Sequence, residues 1–548
     1  MAFEIDHDWQ GNLATPRARI GEAAKIRLLI VLCFIWIFLG LVGHQPWKPN
    51  ESTTISIVKA MLSGEHLIDP IPVAEKIIKN PPLYYLSAAV LAKTLSPILD
   101  MHDAARIVSG FWMALTLLVT GMIGRELWGE GFGRQTTFIM LSSIGLIATA
   151  HLLMPEVSAL SGSAMAFYGL ALAKRRPFRA SVLIGTGIGI SFMSTGLVTA
   201  AISLLTALLL PLLFKAWRSK SYAIVLGLAS ISVAPWIFLW PFLIWHISPS
   251  ALIDWWHTQI QFTQFNHLYT LRTLCWFAWP ALPIACWGLW RFRSTLFVKP
   301  KFQLIISNLI IAFIIIGLKS KNSDASVLTL LIPLVVMASG SAETLKRGAA
   351  GALNWFGLIL FGLMGVLIWL GWIAIMTGHP AKLSARMHIL SGLPEAHINI
   401  PALIIAVFVT VIWAITINAK RSNRAAVTDW AVGITMAWSL LMALWLPMID
   451  SAKSYQEVML NLQNALPVKH TCINSIGFGE PQRALLNYYT NLNVLPIRKS
   501  SELGCDLYLI QEDKTHEQIN PGQDWKLIWK GKRAADRYEK FRLYQKVG

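Results

Sequence analysis

The chain has 548 residues, of which only 14% are charged, and its formal net charge at pH 7 is +18. A mean hydropathy of +0.53 and 24 tryptophans exclude an ordinary soluble enzyme. Lys and Arg recur in short clusters between apolar runs instead of forming one stripe or tail, which argues against nucleic-acid binding. This distribution is typical of a protein that crosses a membrane many times.

The first apolar run, about residues 26–43, follows a segment that carries Arg17, Arg19, Lys25 and Arg27. Basic residues accumulate on the cytoplasmic side of a membrane, so this run predicts a transmembrane helix with a cytoplasmic N-terminus. No small-residue cleavage site follows the run, and we expect it to remain as an anchor.

A polar loop at 44–80 comes next, followed by a second apolar run at 81–99. If this run crossed the membrane, the basic clusters that begin at Arg125 and Lys174 would both lie outside, against the positive-inside rule. We therefore predict an interfacial helix at 81–99 and treat residues 44–103 as the first periplasmic loop.

The later apolar runs alternate so that nearly every basic cluster falls on the cytoplasmic side. A helix that crosses the hydrocarbon core needs about 20 apolar residues, and the sequence predicts about thirteen crossings in an all-α domain at 1–449. Ser194 to Gly196 must form a very tight turn between two of them. After the first, the predicted crossings are 104–125, 135–153, 157–173, 180–194, 197–214, 222–246, 273–290, 302–318, 326–340, 351–376, 400–418 and 428–448.

Residues 450–548 have the composition of a small soluble domain, which this topology places on the periplasmic face. Their pattern predicts an α/β fold with one helix near Pro481–Thr490. Cys472 and Cys505 open two of the strands and could form a disulfide in an oxidising periplasm, although two free core thiols are the alternative. The predicted strands are Thr471–Ile476, Val494–Ile497, Asp506–Ile510, Lys526–Trp529 and Phe541–Gln545.

Two outside carboxylates next to the membrane are candidates for catalysis. Glu51 precedes a helix-like stretch at Ser52–Leu62, and Glu156 lies in the short loop His151–Val157. A carboxylate at the membrane edge costs free energy unless it has a partner or a function. Together the two could serve acid/base chemistry or hold a metal, whereas the alternative for Glu51 is an acid that complements the dipole of its helix.

Outside basic residues indicate an anionic partner. Lys79, Lys319, Lys321 and Arg272 could attract a phosphate at the interface, or could be anchors whose charged ends reach the membrane surface. His257, in the aromatic loop 247–272, is a candidate ligand for substrate or, with Glu156, for a metal; a structural hydrogen bond is its alternative. No Walker loop, dinucleotide fingerprint, HExxH or cysteine-based metal pattern occurs in a supporting context.

Several motifs keep the order found in one family of bacterial membrane enzymes. Trp47-Lys48-Pro49-Asn50-Glu51 is followed by Lys79-Asn80-Pro81-Pro82-Leu83-Tyr84-Tyr85, and later by Ala104-Ala105-Arg106 and Met154-Pro155-Glu156. The chain thereby resembles the GT-C glycosyltransferases related to aminoarabinose transferase and protein O-mannosyltransferases. The resemblance extends over most of the first 340 residues, to Ser320-Lys321 before Leu331-Ile332-Pro333.

This resemblance implies an enzyme that moves a sugar, with inversion, from a polyprenyl-phosphate carrier to a lipid, glycan or protein acceptor at the periplasmic face of the inner membrane. It implies catalytic roles for Glu51 and Glu156 and binding roles near Tyr84 and Lys79, with a divalent cation as a candidate cofactor. The chain departs from the family pattern at three places. Asn50 replaces an acid, Lys79-Asn80 replaces Glu-Lys, and Thr195 replaces a lysine.

These departures keep two other classes of function open. A catalytically silent scaffold for envelope assembly would fit the loss of acids. A transporter or flippase for a lipid-linked intermediate would share the helix count, but it predicts paired halves with ionisable groups near the bilayer midplane. No convincing repeat is present, and the sequence favours the enzyme.

Overall fold

The computed structural model describes residues 22–72, 78–262, 265–319, 324–392, 397–416, 423–468, 471–496, 505–512, 522–533, 535–536 and 538–547. Helices dominate up to residue 464, and a small mixed sheet follows. The helices are α1 Glu22–Phe38, α2 Asn50–Leu62, α3 Leu83–Leu95, α4 Met101–Trp128, α5 Phe132–Leu141, α6 Ile144–Thr149, α7 Glu156–Leu172, α8 Pro177–Thr195, α9 Leu197–Leu213, α10 Lys220–Ile247, α11 Pro249–Ile260, α12 His267–Phe277, α13 Ala281–Arg291, α14 Pro300–Gly317, α15 Leu331–Ala342, α16 Arg347–Thr377, α17 Ala381–Ser391, α18 Ile400–Thr416, α19 Asn423–Leu444, α20 Leu446–Lys453, α21 Gln456–Asn464 and α22 Glu480–Thr490.

Within these residues, six helical segments are long and apolar enough to cross a membrane. Four shorter apolar helices, α3 and α9 among them, accompany these segments. Many apolar side chains on the outer faces of α10, α16 and α18 are exposed, as expected of surfaces that meet lipid. The chain is therefore a multi-pass membrane protein. The six segments are Met101–Trp128, Lys220–Ile247, Pro300–Gly317, Ala325–Ala342, Arg347–Thr377 and Ala426–Leu444.

Two predicted crossings are interrupted. The run at 135–153 divides into α5 and α6, because the Ser142 and Ser143 hydroxyls bond to carbonyls four residues back at the end of α5. The run at 273–290 divides into α12 and α13 at Pro280, which has no backbone N–H to continue a helix. The period of apolar residues does not show such breaks.

The turn between α8 and α9 is as tight as the sequence predicts. α8 ends at Thr195 and α9 begins at Leu197, so Gly196 alone connects them, with a φ of +87°. A β-carbon on Gly196 would lie 2.6 Å from Gln259 Oε1. Only glycine adopts this positive φ without strain and leaves room for Gln259.

The first loop contains two short helices, α2 and α3. The predicted helix at Ser52–Leu62 is confirmed as α2. α3 lies inside the run at 81–99, and its 13 residues span about 20 Å, less than the hydrocarbon core. Both helices pack against α4.

The C-terminal residues form a five-stranded sheet with strand order β2-β1-β3-β5-β4. β2, β1 and β3 are parallel, and β5 is antiparallel to β3 and β4. α21 and α22 cover the sheet around a separate apolar core. Cys472 and Cys505 are joined in a disulfide beside β1 and β3. The strands are β1 Ile473–Ile476, β2 Val494–Pro496, β3 Leu507–Glu512, β4 Trp525–Lys532 and β5 Lys540–Lys546, each overlapping a predicted strand.

Candidate active site

Glu51 lies at the start of α2 and is completely buried. Its Oε1 accepts from Arg106 Nε of α4 at 2.7 Å and from the Leu153 backbone N–H at 3.0 Å. Its Oε2 accepts from the Trp47 backbone N–H at 2.8 Å. Both carboxylate oxygens are thus occupied by donors of the protein itself.

Arg106 completes this arrangement. Its Nη1 donates to Asp103 Oδ1 at 2.7 Å and to the Leu41 carbonyl at 3.0 Å, and its Nη2 donates to the His44 carbonyl at 3.2 Å. We call Glu51, Arg106 and Asp103 the sealed cluster. It joins the first loop to α4 through buried, charge-assisted hydrogen bonds.

Burial by itself would raise the pKa of Glu51. The Arg106 guanidinium, the neighbouring His44 and the two backbone N–H donors outweigh burial and hold that pKa below its ordinary value. Burial and the same guanidinium lower the pKa of His44 to about 4, so this imidazole is neutral at pH 7. The sealed cluster therefore holds a buried carboxylate that is ionised at pH 7 and whose two oxygens both accept hydrogen bonds from the protein.

The start of the first loop is also fixed to α20. Asp450 accepts from the Gln45 backbone N–H and from Trp47 Nε1, both at 2.9 Å. The Lys453 ammonium lies 4.3 Å from the centre of the Trp47 ring. Trp47, the first residue of the family-like motif, thus anchors the loop.

Glu156 has different surroundings. It is the first residue of α7 and remains partly exposed. In the described part of the chain, no Lys or Arg forms an ion pair with it; the Lys79 ammonium attracts its carboxylate from further away. Glu156 is a carboxylate with capacity to accept a proton or a hydrogen bond from a bound molecule.

Lys79, predicted to bind phosphate, forms an ion pair with a residue of the C-terminal segment. Its Nζ lies 2.7 Å from Glu480 Oε1 on α22, and the two side chains are 45% and 31% exposed. The Thr53 hydroxyl of α2 donates to the same Glu480 oxygen at 3.0 Å. We call Glu156, Lys79 and Glu480 the open cluster, since all three side chains remain in contact with solvent.

Two adjacent tyrosines separate the clusters. The Tyr85 hydroxyl accepts from Asn80 Nδ2 at 3.3 Å, and burial together with the Glu156 and Glu480 carboxylates raises the Tyr85 pKa. Tyr84 is fully buried, and its hydroxyl lies 2.6 Å from Ser109 Oγ on α4. Tyr85 is therefore a buried neighbour of the open cluster, whereas Tyr84 fixes α3 to α4.

The remaining candidates lie elsewhere. Lys319 pairs its backbone with Phe262 in an isolated bridge, and burial lowers its pKa. Arg272 and His257 are exposed. Lys321 lies outside the described residues. Across the described ranges, no group of three His, Cys, Asp or Glu side chains is placed to hold a metal ion, so His257 and Glu156 do not converge with a third such residue.

Sequence reasoning missed Glu480 and Arg106. Arg106 stood within a motif, but no local pattern indicates that its guanidinium reaches residue 51. Glu480 is a first-turn acid of α22, and an acid there is ordinary for any helix. Its role becomes visible only because α22 packs along α2.

No family model matches this chain. The undecaprenyl phosphate-alpha-4-amino-4-deoxy-L-arabinose arabinosyl transferase of Yersinia enterocolitica is 22% identical over 486 residues, which cover 82% of each chain. The protein of the same name from Pseudomonas paraeruginosa is 24% identical over 360 residues, 61% of this chain and 63% of that one. The crystal structure of ArnT from Cupriavidus metallidurans bound to undecaprenyl phosphate aligns with 95% of this chain and 98% of that chain, with a TM-score of 0.67 and 12% identity. The two chains share a fold.

Proposed function

We propose that this chain, a relative of the polyprenyl-phosphate-dependent GT-C glycosyltransferases with the fold of ArnT, transfers a sugar from an undecaprenyl-phosphate carrier to an acceptor at the membrane surface. The observation that carries the proposal is the open cluster. It presents a partly exposed ammonium and a carboxylate that has no ion-pair partner among the described residues, in the loops that the family resemblance singles out.

The reaction needs two kinds of group. An acceptor hydroxyl attacks the anomeric carbon, its proton passes to a carboxylate, and the bond from that carbon to the carrier phosphate breaks with the electron pair on the phosphate oxygen. Glu156 is our candidate for the carboxylate, and Lys79 for the cation that stabilises the departing phosphate. Attack from the face opposite the phosphate inverts the anomeric centre.

Glu51 takes a different role in this mechanism. Its carboxylate is buried and accepts three donors, so it cannot reach an acceptor hydroxyl without breaking the sealed cluster. We propose that Glu51 fixes the first loop while Glu156 acts on the substrate. Asn50 does not replace the missing acid, because a carboxamide is not a base at neutral pH.

A cavity with room for the acceptor lies further along α2 and α22 than the open cluster, towards the C-terminal ends of both helices. It has a volume of about 820 Å³ and opens between α2, α11 and α22, and Lys59, His66, Asp254, Asn487 and Asn493 are among its lining residues. Amide, hydroxyl and charged side chains of this kind suit the hydroxyl groups of a carbohydrate or a lipid headgroup. We assign the acceptor side of the site to this cavity.

Transfer is tested with the full-length protein in liposomes, with undecaprenyl-phosphate-linked aminoarabinose as the first donor. In a second experiment, mass spectrometry compares the envelope lipids and glycans of cells with and without the protein. Glu156→Gln should reduce transfer by about 10²–10⁴-fold, the usual contribution of a general base. Glu130→Gln, at an exposed side chain, is the control. Unchanged envelope products, or a fully active Glu156→Gln protein, would contradict the proposal; the first result would favour a scaffold.

The topology belongs to the same proposal. About thirteen crossings, a cytoplasmic N-terminus and a periplasmic C-terminal domain follow from the positive-inside rule. In a protein with Cys275 and Cys286 replaced by Ser, a membrane-impermeant thiol reagent should label Ser63→Cys from outside and Ser219→Cys only after permeabilisation. Both positions are exposed. The reverse pattern overturns the orientation.

A further inference from the structure

The contact between Lys79 and Glu480 joins parts of the chain 401 residues apart. Lys79 is the cation that the proposed function assigns to the lipid phosphate, and in the described part of the chain its Nζ donates only to Glu480. A carboxylate and a phosphate oxygen accept the same kind of charge-assisted hydrogen bond. Glu480 thus occupies the Lys79 ammonium, which the phosphate of the lipid-linked sugar donor needs for binding.

The Glu480 carboxylate is held where it is by more than Lys79. The Thr53 hydroxyl donates to its Oε1, and Glu480 is the first residue of α22, where the helix dipole stabilises a negative charge. Its Oε2 has no hydrogen-bond donor among the residues that the structure describes. The carboxylate is therefore a fixed anion at the rim of the open cluster.

The C-terminal domain does not depend on this ion pair for its position. Lys59 Nζ donates to the carbonyls of Asn487 and Tyr488, at 2.7 and 2.9 Å, near the end of α22. The Tyr489 hydroxyl donates to Gln45 Oε1 at 3.1 Å. These contacts hold α22 against α2 and the start of the first loop, whichever anion Lys79 binds.

We propose that Glu480 competes with the lipid phosphate for Lys79 and so weakens the binding of donor and of the released carrier phosphate. The proposal rests on the proposed function, because it takes the phosphate of an undecaprenyl carrier as the ligand. When the phosphate arrives, Lys79 turns from Glu480 to it; when the carrier leaves, Glu480 pairs with Lys79 again. The C-terminal domain thereby contributes a residue that tunes donor affinity.

The direction in which replacing Glu480 changes phosphate binding distinguishes a competing anion from a structural residue and from a proton acceptor. Removing a competing anion strengthens phosphate binding, whereas a residue that only holds the structure together would weaken binding when replaced. A proton acceptor would lower kcat and leave the dissociation constant of the carrier unchanged. Because the ion pair is partly exposed, its contribution is also screened by salt.

The experiment measures the dissociation constant of undecaprenyl phosphate for the full-length protein in detergent, from the rise in melting temperature as the lipid is added. Glu480→Gln should bind about two- to fivefold more tightly at low ionic strength, the range for a partly exposed ion pair, and this difference should shrink in about 0.5 M salt, where the Debye length is only a few ångströms. Glu457→Gln is the matched control: Glu457 is an exposed first-turn acid of α21 in the same domain.

Tighter binding that salt abolishes supports the proposal, provided that Glu480→Gln melts at the temperature of the unsubstituted protein. Weaker or unchanged binding overturns it, as does tighter binding that Glu457→Gln reproduces. If the unsubstituted protein binds no undecaprenyl phosphate, the proposed function fails, and this proposal with it. If it binds the lipid and transfers sugar while Glu480→Gln behaves identically, this proposal alone fails.

Discussion

The sealed and open clusters both include a residue of the first loop, Glu51 and Lys79, but their carboxylates have opposite surroundings. Glu51 is buried and paired with Arg106, whereas Glu156 is partly exposed and has no ion-pair partner among the described residues. A buried, fully bonded charge organises structure, since its hydrogen-bonding capacity is already used. A charge that keeps unused hydrogen-bonding capacity can act on a ligand. Their positions in the sequence predict the same catalytic role for Glu51 and Glu156. Only the hydrogen-bond and ion-pair partners in the folded structure distinguish the two acids.

Removing the Glu51 charge should have the largest effect on the protein. Glu51→Gln leaves the buried Arg106 guanidinium without its carboxylate, and breaking such a pair costs about 3 kcal/mol or more. We expect the melting temperature to fall, and tryptophan fluorescence of the protein in detergent measures this change. Glu130→Gln removes one partner of the exposed Arg125 pair and should leave the melting temperature unchanged. Equal melting temperatures for all three proteins would show that the sealed cluster is not structural.

The same cluster predicts a pH dependence. The pKa of Glu51 is lowered in the folded protein, so its carboxylate stabilises the fold above the ordinary value of 4.5, and the contribution is lost as pH falls through the folded pKa. The difference in melting temperature between the unsubstituted protein and Glu51→Gln should therefore be full at pH 7 and shrink below pH 4.5. A difference that grows towards acid pH would contradict the lowered pKa.

Lys79→Gln should act on the ligand and spare the fold. One charge-assisted hydrogen bond to a phosphate contributes about 1.5 kcal/mol or more, which corresponds to roughly tenfold weaker binding of undecaprenyl phosphate. The melting temperature without lipid should change little, because the ion pair with Glu480 is partly exposed. Lys93→Gln, at an exposed lysine of α3, is the control. Equal loss of affinity in both variants would reduce Lys79 to a nonspecific surface charge.

Much of the fold follows from patterns that are local in the sequence. Runs of apolar residues predict most of the membrane helices, and Gly196 predicts the turn between α8 and α9. The alternating pattern after residue 450 predicts strands that overlap all five observed ones. The breaks at Ser142 and Pro280 were missed, because the apolar character continues through them.

The site was less predictable, because its chemistry depends on contacts between distant residues. The motifs identify Glu51, Lys79 and Glu156 as important, but no local signal shows that Arg106 neutralises the first. Glu480 reaches Lys79 only because α22 docks on α2. Residue type and spacing suggest which side chains carry charge near the membrane; the partners of those charges require the folded structure.

The smallest predicted effect is a difference between the hydroxyls of two neighbouring residues, Tyr85 near the open cluster and Tyr84 against α4. Tyr85→Phe removes the hydroxyl that bonds Asn80 beside the open cluster, and Tyr84→Phe removes the one that bonds Ser109 of α4. A neutral hydrogen bond contributes about 1 kcal/mol, so Tyr85→Phe should lower the rate of transfer a few-fold. It should lower the melting temperature less than Tyr84→Phe, because its 3.3 Å bond to Asn80 is longer than the 2.6 Å contact between Tyr84 and Ser109. Tyr84→Phe should lower the melting temperature and leave the rate unchanged, because its hydroxyl bonds to Ser109 of α4 and not to a residue beside the open cluster. Rate constants and melting temperatures of both variants provide the check, and the opposite assignment of effects would mean that α3 presents its other face to the substrate.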